Sequence, residues 1–293
     1  MAINTLECAK IFQDGLDAQM LATATSAWME ANATQVIYNG GDEVKMPEIS
    51  TAGLATYDRD SGFVQGAVTL KFGTYKLTQD RGRSFSLDAM SVDETNFVAS
   101  SGNVMGEFQR LQVVPEVDAY RYSRIAALAK TASQEKATFT PTADNILAQL
   151  DDDITAVQDI VGDDEPLIIV MNRKVRTILN NAKGIQKFIV RTYNEIPIIG
   201  VPSARMKTQY VFNNGTTSGQ EAGGFKADTQ AKDINWIVIA QRAPIAVSKT
   251  DKVRIFTPDE NQKADAWKLD YRKFHDLWIP SNKLKGVFVN TGA

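Results

Sequence analysis

Cysteine and histidine are nearly missing from this chain of 293 residues: Cys8 and His275 are the only examples of each. No intrachain disulfide can therefore form, and no zinc site of Cys and His ligands can be assembled within one chain. Also lacking are a basic leader joined to an apolar stretch in MAINTLECAKIFQDGLDAQM, and any apolar run long enough to cross a bilayer. Secretion and membrane insertion are not expected, and the cytosol is the natural compartment. Outside a secretory route the triplets at Asn32 (NAT) and Asn214 (NGT) are chance matches. There is no surplus of cations, since 32 Lys plus Arg face 35 Asp plus Glu, a formal charge of −3. Tight sequence-independent nucleic-acid binding needs clustered cations to neutralise phosphates and is not expected.

The common catalytic signatures are absent as well. No GxxxxGK[ST] loop occurs, and the glycines of GFVQGAVTLKFG and EAGGF lack the spacing of a dinucleotide site. A serine triad would have to use His275 as base, but HDLW reads as strand and no GxSxG elbow exists. A soluble hydrolase using His275 stays as a remote alternative to a half-buried histidine hydrogen-bonded in a sheet. Asp151, Asp152 and Asp153 lack the alternating ligands and glycine of a calcium loop and read as a solvated helix face. Trp28, Trp236, Trp267 and Trp278 read as core or interface anchors. No catalytic residue, cofactor or metal is expected.

What is present is the balance of a folded globular protein, 43% hydrophobic and 23% charged. A polar, weakly amphipathic lead is followed from Gln35 to Leu87 by strand patterns: VIY, VKMPEI, and then Val68, Leu70 and Phe72 alternating with Thr69, Lys71 and Gly73. Between these strands lies the turn-rich tip TAGLATYDRDSGF. A long hairpin is marginal in water unless its faces pack on something, so a neighbouring chain is the economical partner. Ser91 and Glu94 form a capping box that starts a helix carrying Phe97, Val104, Phe108 and Leu111 at helical spacing. Pro115 should kink or divide that helix, because proline inside a helix costs about 3 kcal/mol or more. Thr140 and Pro141 signal a second helix with Ile146, Leu150, Ile154, Val157 and Val161 on its apolar face. LIIVM at 167–171 reads as a buried strand, followed by a helix from Asn172 toward Gly184 and by the strands IPIIGV and YVF. NNGTTSGQEAGG at 213–224 has the composition of an exposed loop, and the tail returns to strands in INWIVIA, VRIFTP, Trp267 to Arg272 and GVFVN. Helices and strands mix without a regular βαβ repeat, which predicts an α+β fold.

Taken in order, TAGLATYDRDSGF, LTQDRGRSFSLDAMSVDET, VVPEVDAYRYSRIAALAK and VRIFTPDENQKADAWKLDYRKFHDLWI resemble the major capsid proteins of tailed double-stranded DNA phages, with the Hong Kong phage-type fold. The resemblance implies an N-terminal arm at 1–33, an extended loop at 34–88, a spine helix at 89–139, an axial domain at 140–245 and peripheral return strands at 246–293. It implies pentamers and hexamers of an icosahedral shell that encloses DNA without sequence-specific binding, found in the virion and, before assembly, in the host cytoplasm. Tyr57, Asp58, Arg59 and Phe63 at the hairpin tip would contact the adjacent subunit, Arg59 as a charged anchor or, in the free subunit, held by Asp58 or Asp60. Asn213, Asn214 and Gly215 would approach the ring centres. Because Met1 opens on no long charged scaffolding segment, a separate scaffolding protein is expected, with a portal and room for a cement protein. Some members weld their shells by Lys to Asn isopeptide bonds, for which Lys71, Lys76 and Asn290 are of the right type. An encapsulin-like nanocompartment that encloses enzyme cargo is the alternative with a related fold.

Overall fold

The computed structural model describes residues 24–35, 37–38, 43–89, 101–182 and 191–293. Ser91, Glu94 and Phe97 lie outside these residues, as do most of the N-terminal arm and the end of the helix expected to reach Gly184.

LIIVMN forms β6 (Leu167–Asn172), buried at every position. Such a strand needs neighbours on both edges and cover on both faces. It lies inside a six-stranded sheet of order β5-β14-β11-β6-β8-β7, with β5 at Glu135–Lys136, β7 at Thr192–Tyr193, β8 at Ile196–Val201, β11 at Ile234–Ala240 and β14 at Val287–Thr291. GVFVN was expected among the peripheral strands of 246–293, yet as β14 it pairs with β11. The reason is that β11, buried along its whole length, has β6 on one edge and would otherwise expose backbone on the other.

The helix expected to begin at Pro141 starts at Ile146 and runs to Val161. Asn145 causes the delay: its side chain accepts from the Thr142 N–H at 2.7 Å and donates to the Thr140 carbonyl at 3.1 Å, committing that backbone to a turn. Ile146, Leu150, Ile154 and Val157 pack into the same core as Trp236, which is fully buried. The acidic run behaves differently from expectation. Asp151 and Asp152 are exposed, but Asp153 is buried and accepts from Trp236 Nε1 and Asn290 Nδ2, each at 2.9 Å. Gln149 Nε2 donates to its other oxygen at 2.8 Å, so the buried carboxyl is hydrogen-bonded through both oxygens.

A second sheet, β12-β13-β4, is built from Ile245–Phe256, Ala266–Trp278 and Gln79–Asp88. Residues 79–88, the last of the expected extended loop, form β4 of this sheet, which pairs with β13 from Ala266 through His275. Across it lies the spine helix, α1 (Ser101–Phe108) continuing into α2 (Val114–Thr131). Pro115 does not divide it. Gln109–Val113 form a π-helix in which the Val114 N–H bonds to the Gln109 carbonyl, so the chain widens just before the proline ring would press on the preceding turn. Met105, Val113, Val114 and Val117 meet Val253, Leu269 and Tyr271, and the Phe108 ring stands edge-on to Phe85 at 4.9 Å and Tyr271 at 5.9 Å.

Phe108 thus joins helix and sheet, and Phe108→Ala is expected to cost about 2–3 kcal/mol, less than a fully buried ring would because Phe108 is partly exposed. Urea unfolding measures this; an unchanged midpoint would mean that the ring carries no packing energy.

Candidate assembly interface

The hairpin is made of β2 (Glu43–Thr51) and β3 (Val68–Lys76), with the short β1 (Ile37–Tyr38) beside β2. Its register places Val44 opposite Tyr75 and Met46 opposite Gly73 on one face; Pro47 opposite Phe72, Ile49 opposite Leu70 and Thr51 opposite Val68 lie on the other. Near the base, Val44 and Met46 are buried with Leu77, Ile245, Val247 and Trp278. Farther out the apolar set changes sides. Glu48, Lys71, Ser50 and Thr69 continue the face that began with Val44, while Ile49, Val68, Leu70 and Phe72 line the opposite one, each more than half exposed (64%, 73%, 53% and 54%). Side chains alternate strictly along a strand, so this change of parity points the outer apolar stripe away from the hairpin's own packed base. Isolated surface apolar residues are ordinary; a stripe continued by Leu54, Phe63 and Val64 at the tip is not.

The tip is held locally. Asp58 and Gly62 exchange both backbone hydrogen bonds, at 3.2 and 2.8 Å, and Gly62 takes the left-handed conformation (φ 82°) that this tight closure requires. The Asp58 carboxylate accepts from the Asp60 N–H at 2.9 Å, and that bond holds its carboxyl below the usual range. Tyr57 and Phe63 face each other with ring centroids 4.8 Å apart. Arg59 pairs with neither Asp58 nor Asp60: among the described residues no hydrogen bond or ion pair engages it.

Three buried or partly buried polar groups fix the hairpin to the body. Asp276, fully buried, accepts from the Thr78 N–H at 2.9 Å, Thr78 Oγ1 at 2.8 Å and Tyr120 Oη at 2.6 Å, tying the hairpin's exit to β13 and the spine. Glu48 accepts from Tyr75 Oη at 3.0 Å and Ser281 Oγ at 2.9 Å; burial first, then Glu48, pushes the Tyr75 phenol up to about 12. Arg81 on β4 makes two bonds to Glu116 of the spine, at 2.6 and 3.2 Å, and also donates to the carbonyls of Asn213 (2.8 Å) and Gly224 (3.2 Å).

Those last two bonds decide where the loop 213–224 lies. It closes the ribbon of β9 (Tyr210–Phe212) and β10 (Phe225–Ala227), with Asn213 Nδ2 donating to the Gly223 carbonyl at 3.0 Å and Asn214 Oδ1 accepting from the N–H groups of Thr216 and Thr217, both at 2.9 Å. Gly215 has φ 77°, and a Cβ there would sit 3.2 Å from the Arg83 guanidinium. The loop is exposed in part, as its composition suggested, but clipped to β4 beside the spine.

The junction of arm, spine and six-stranded sheet is a second polar knot. Asp118 accepts from the N–H groups and hydroxyls of both Thr25 and Ser26, and from Arg205 at 3.0 Å. Arg121 donates to the Ser26 carbonyl at 3.1 Å and pairs with Glu30. These residues were passed over in the sequence, although a signal existed: Asp118 and Arg121 share the helical stripe of Val114, Val117 and Ile125, where charge must find a partner.

His275, the one conceivable base, is buried in β13 at 3% exposure, fully rather than half buried. Its Nδ1 has no hydrogen-bond partner among the described residues, and neither has Oγ of Ser248, its cross-strand neighbour. Burial first, then the cations Arg121, Lys273 and Arg81, holds its pKa well below the ordinary value, so it stays neutral. A base needs a hydrogen bond to its nucleophile and a group to orient it, and Nδ1 of this buried ring makes no hydrogen bond of either kind among the described residues. Among the described residues no group of His, Cys, Asp and Glu could hold a metal ion, and no helix is long and apolar enough to cross a membrane. Asn290 is fully buried, bonded to Asp153 and to Asn235 Nδ2 at 2.9 Å, and is closed to an isopeptide partner.

No family model matches the chain, and no curated protein matches it in sequence. Solved structures match across most of its length. The mature capsid of bacteriophage PhiM1 covers 88% of this chain and 84% of its own, with TM-score 0.62 at 14% identity. A structure of Gordonia phage Cozz covers 89% and 84%, with TM-score 0.59 at 16% identity. The capsid of Cyanophage P-SCSP1u covers 87% and 85%, with TM-score 0.55 at 13% identity. The chain has the fold of tailed-phage capsid subunits. At such identities the capsid fold is shared through its packing pattern, and the α+β class expected from the sequence holds.

In this capsid fold His275 is a packing residue, which has a pH consequence. Unfolded, its imidazole takes up a proton near 6.5; folded, it does not. Its stabilising contribution is complete above that value and falls as the pH drops below it, by up to about 1.4 kcal/mol per pH unit. Urea midpoints between pH 7.5 and 5.5 should fall less steeply in His275→Phe than in the parent; equal slopes would show that the folded imidazole protonates freely.

Proposed function

We propose that this chain is the major capsid protein of a tailed bacteriophage, assembling through pentamers and hexamers into an icosahedral shell around double-stranded DNA and catalysing nothing. One observation carries the reading: a projecting hairpin whose outer half turns its apolar stripe away from its own subunit, on a fold shared with phage capsid structures. Such a stripe marks a surface to be covered, and a second copy is the occupant this reading assigns to it.

The hairpin at 43–76 is then the projecting part of the extended loop of 34–88. The spine lies within 89–139, the axial domain comprises 140–245 together with β14, and β12 and β13 are the return strands of 246–293. Tyr57, Asp58, Arg59 and Phe63 reach the adjacent subunit, with Arg59, unengaged in the free chain, as the charged anchor. The bonds from Arg81 and Arg83 to the loop of Asn213, Asn214 and Gly215 support bracing of the hairpin base over an approach to the ring centre. The partners are copies of this chain, with a separate scaffolding protein and a portal, and the shell resides in the virion after assembly in the host cytoplasm.

Electron microscopy of purified particles tests the reading. Shells with packaged DNA or tails support it; shells filled with protein cargo would replace it by an encapsulin-like compartment, and a chain that stays monomeric with scaffold supplied would end it. More locally, Leu70→Ser with Phe72→Ser should leave subunit stability within about 0.5 kcal/mol and lower particle yield by about tenfold or more, with Arg59→Ala weaker in the same direction. Sedimentation and thermal melting separate the two readouts, and unchanged yield would remove the stripe from the interface.

A further inference from the structure

Charge in the six-stranded module is sorted by segment. From Asp144 to Glu165 there are eight acidic residues and no Lys or Arg; from Arg173 to Arg191 there are six Lys or Arg and no acidic residue. The basic segment converges in space. Arg173 and Arg176 sit on the helix Arg173–Asn180, which follows β6 directly. Arg176 Nη1 lies 2.7 Å from where a Cβ on Gly200 of β8 would stand, and the Arg191 carbonyl accepts from the Ile198 N–H of the same strand at 2.8 Å. Arg173 and Arg191 are exposed and have no ion-pair partner among the described residues. The mutual repulsion of the three is felt at Arg176, whose pKa is lowered by burial and then by Arg173 and Arg191.

The acidic surface lies elsewhere on the module. Asp151, near the start of the helix Ile146–Val161, accepts from Tyr193 Oη at 2.8 Å and so sits on the arginine side. Asp159 comes eight residues later, roughly 12 Å along the helix at 1.5 Å per residue, and Asp163 and Asp164 lie in the turn that follows the helix-ending Gly162. Asp159, Asp163 and Asp164 are all exposed, as is their chain neighbour Ile160 at 49%. The two patches cannot neutralise each other within one chain at that separation in water.

We infer that the surface of Arg173, Arg176 and Arg191 is one half of a head-to-tail contact between copies of this chain, and that its occupant is the end of the neighbour's acidic helix and the turn after it, carrying Asp159, Ile160, Asp163 and Asp164. The inference rests on the shell reading above. Two different complementary patches on one subunit are what a closed ring requires, because a heterologous contact repeats around the ring until it closes. Charge complementarity across such a contact sets its register and specificity.

Charge reversal under conditions in which the parent chain forms shells is the test. Arg173→Glu with Arg191→Glu, and separately Asp163→Lys with Asp164→Lys, should each lower shell yield by about tenfold or more while the melting of the isolated subunit stays unchanged. The fourfold variant carrying both reversals should regain most of the yield, which a folding defect would not do. Parent-like assembly by either pair, or no recovery in the fourfold variant, overturns the contact. Normal shells that fail only to retain DNA in the arginine pair would assign the cluster to nucleic acid and also overturn it. If the parent chain itself forms no shell, the shell reading fails and takes this contact with it.

Discussion

Asp118 has no exposed surface, yet five hydrogen bonds converge on it from two parts of the chain distant from the spine helix that carries it: Thr25 with Ser26, and Arg205 beside the six-stranded sheet. Burying a carboxylate is costly unless its oxygens are satisfied, and removing any partner leaves charge stranded in the core. The geometry of this knot therefore constrains the others. Given the spine's position over β13, Asp276 can gather Thr78 and Tyr120, and the hairpin leaves the body in one direction. Apolar packing supplies most of the adhesion between layers; these carboxylates select which of many similar packings is adopted.

Directionality matters because the hairpin cannot satisfy itself. Its base buries Val44 and Met46 against its own subunit, while its outer half exposes Ile49, Val68, Leu70 and Phe72 on the other side. A two-stranded ribbon with one apolar face is marginal in water. Rigid anchoring by Asp276, Glu48 and Arg81 presents the stripe at a defined angle, which would lower the ordering cost of the proposed contact with a neighbour. The π-helix before Pro115 belongs to the same requirement. By absorbing the proline it keeps α1 and α2 continuous across the sheet, so the hairpin base and the six-stranded module are connected through one stiff element.

The two candidate surfaces differ in physical character. The hairpin stripe is apolar and gains from being covered at any ionic strength; the arginine and acid patches of the six-stranded module are ionic, weaker in salt and better suited to choosing register than to supplying adhesion. Structures from phages share the fold at 10–16% identity, so the likeness lies in the fold and not in the sequence.

Much of this was legible in the residues. Alternation announced Val68 to Gly73 as strand, a continuous apolar run announced β6, the spacing of Ile146, Leu150, Ile154 and Val157 announced a helix, and the scarcity of cysteine and histidine removed whole classes of chemistry. Local periodicity carries these features because they depend on neighbours within a few positions. Tertiary structure alone decided the rest. Whether Asp153 is solvated or buried depends on Trp236 and Asn290, far away in the chain; β14 pairs with β11 because that edge was open; the loop at 213–224 is clipped by Arg81 and Arg83 across more than a hundred residues. Such contacts leave no periodic trace, since their partners are set by where the folded layers bring them, and only the assembled core specifies which side of the hairpin faces away.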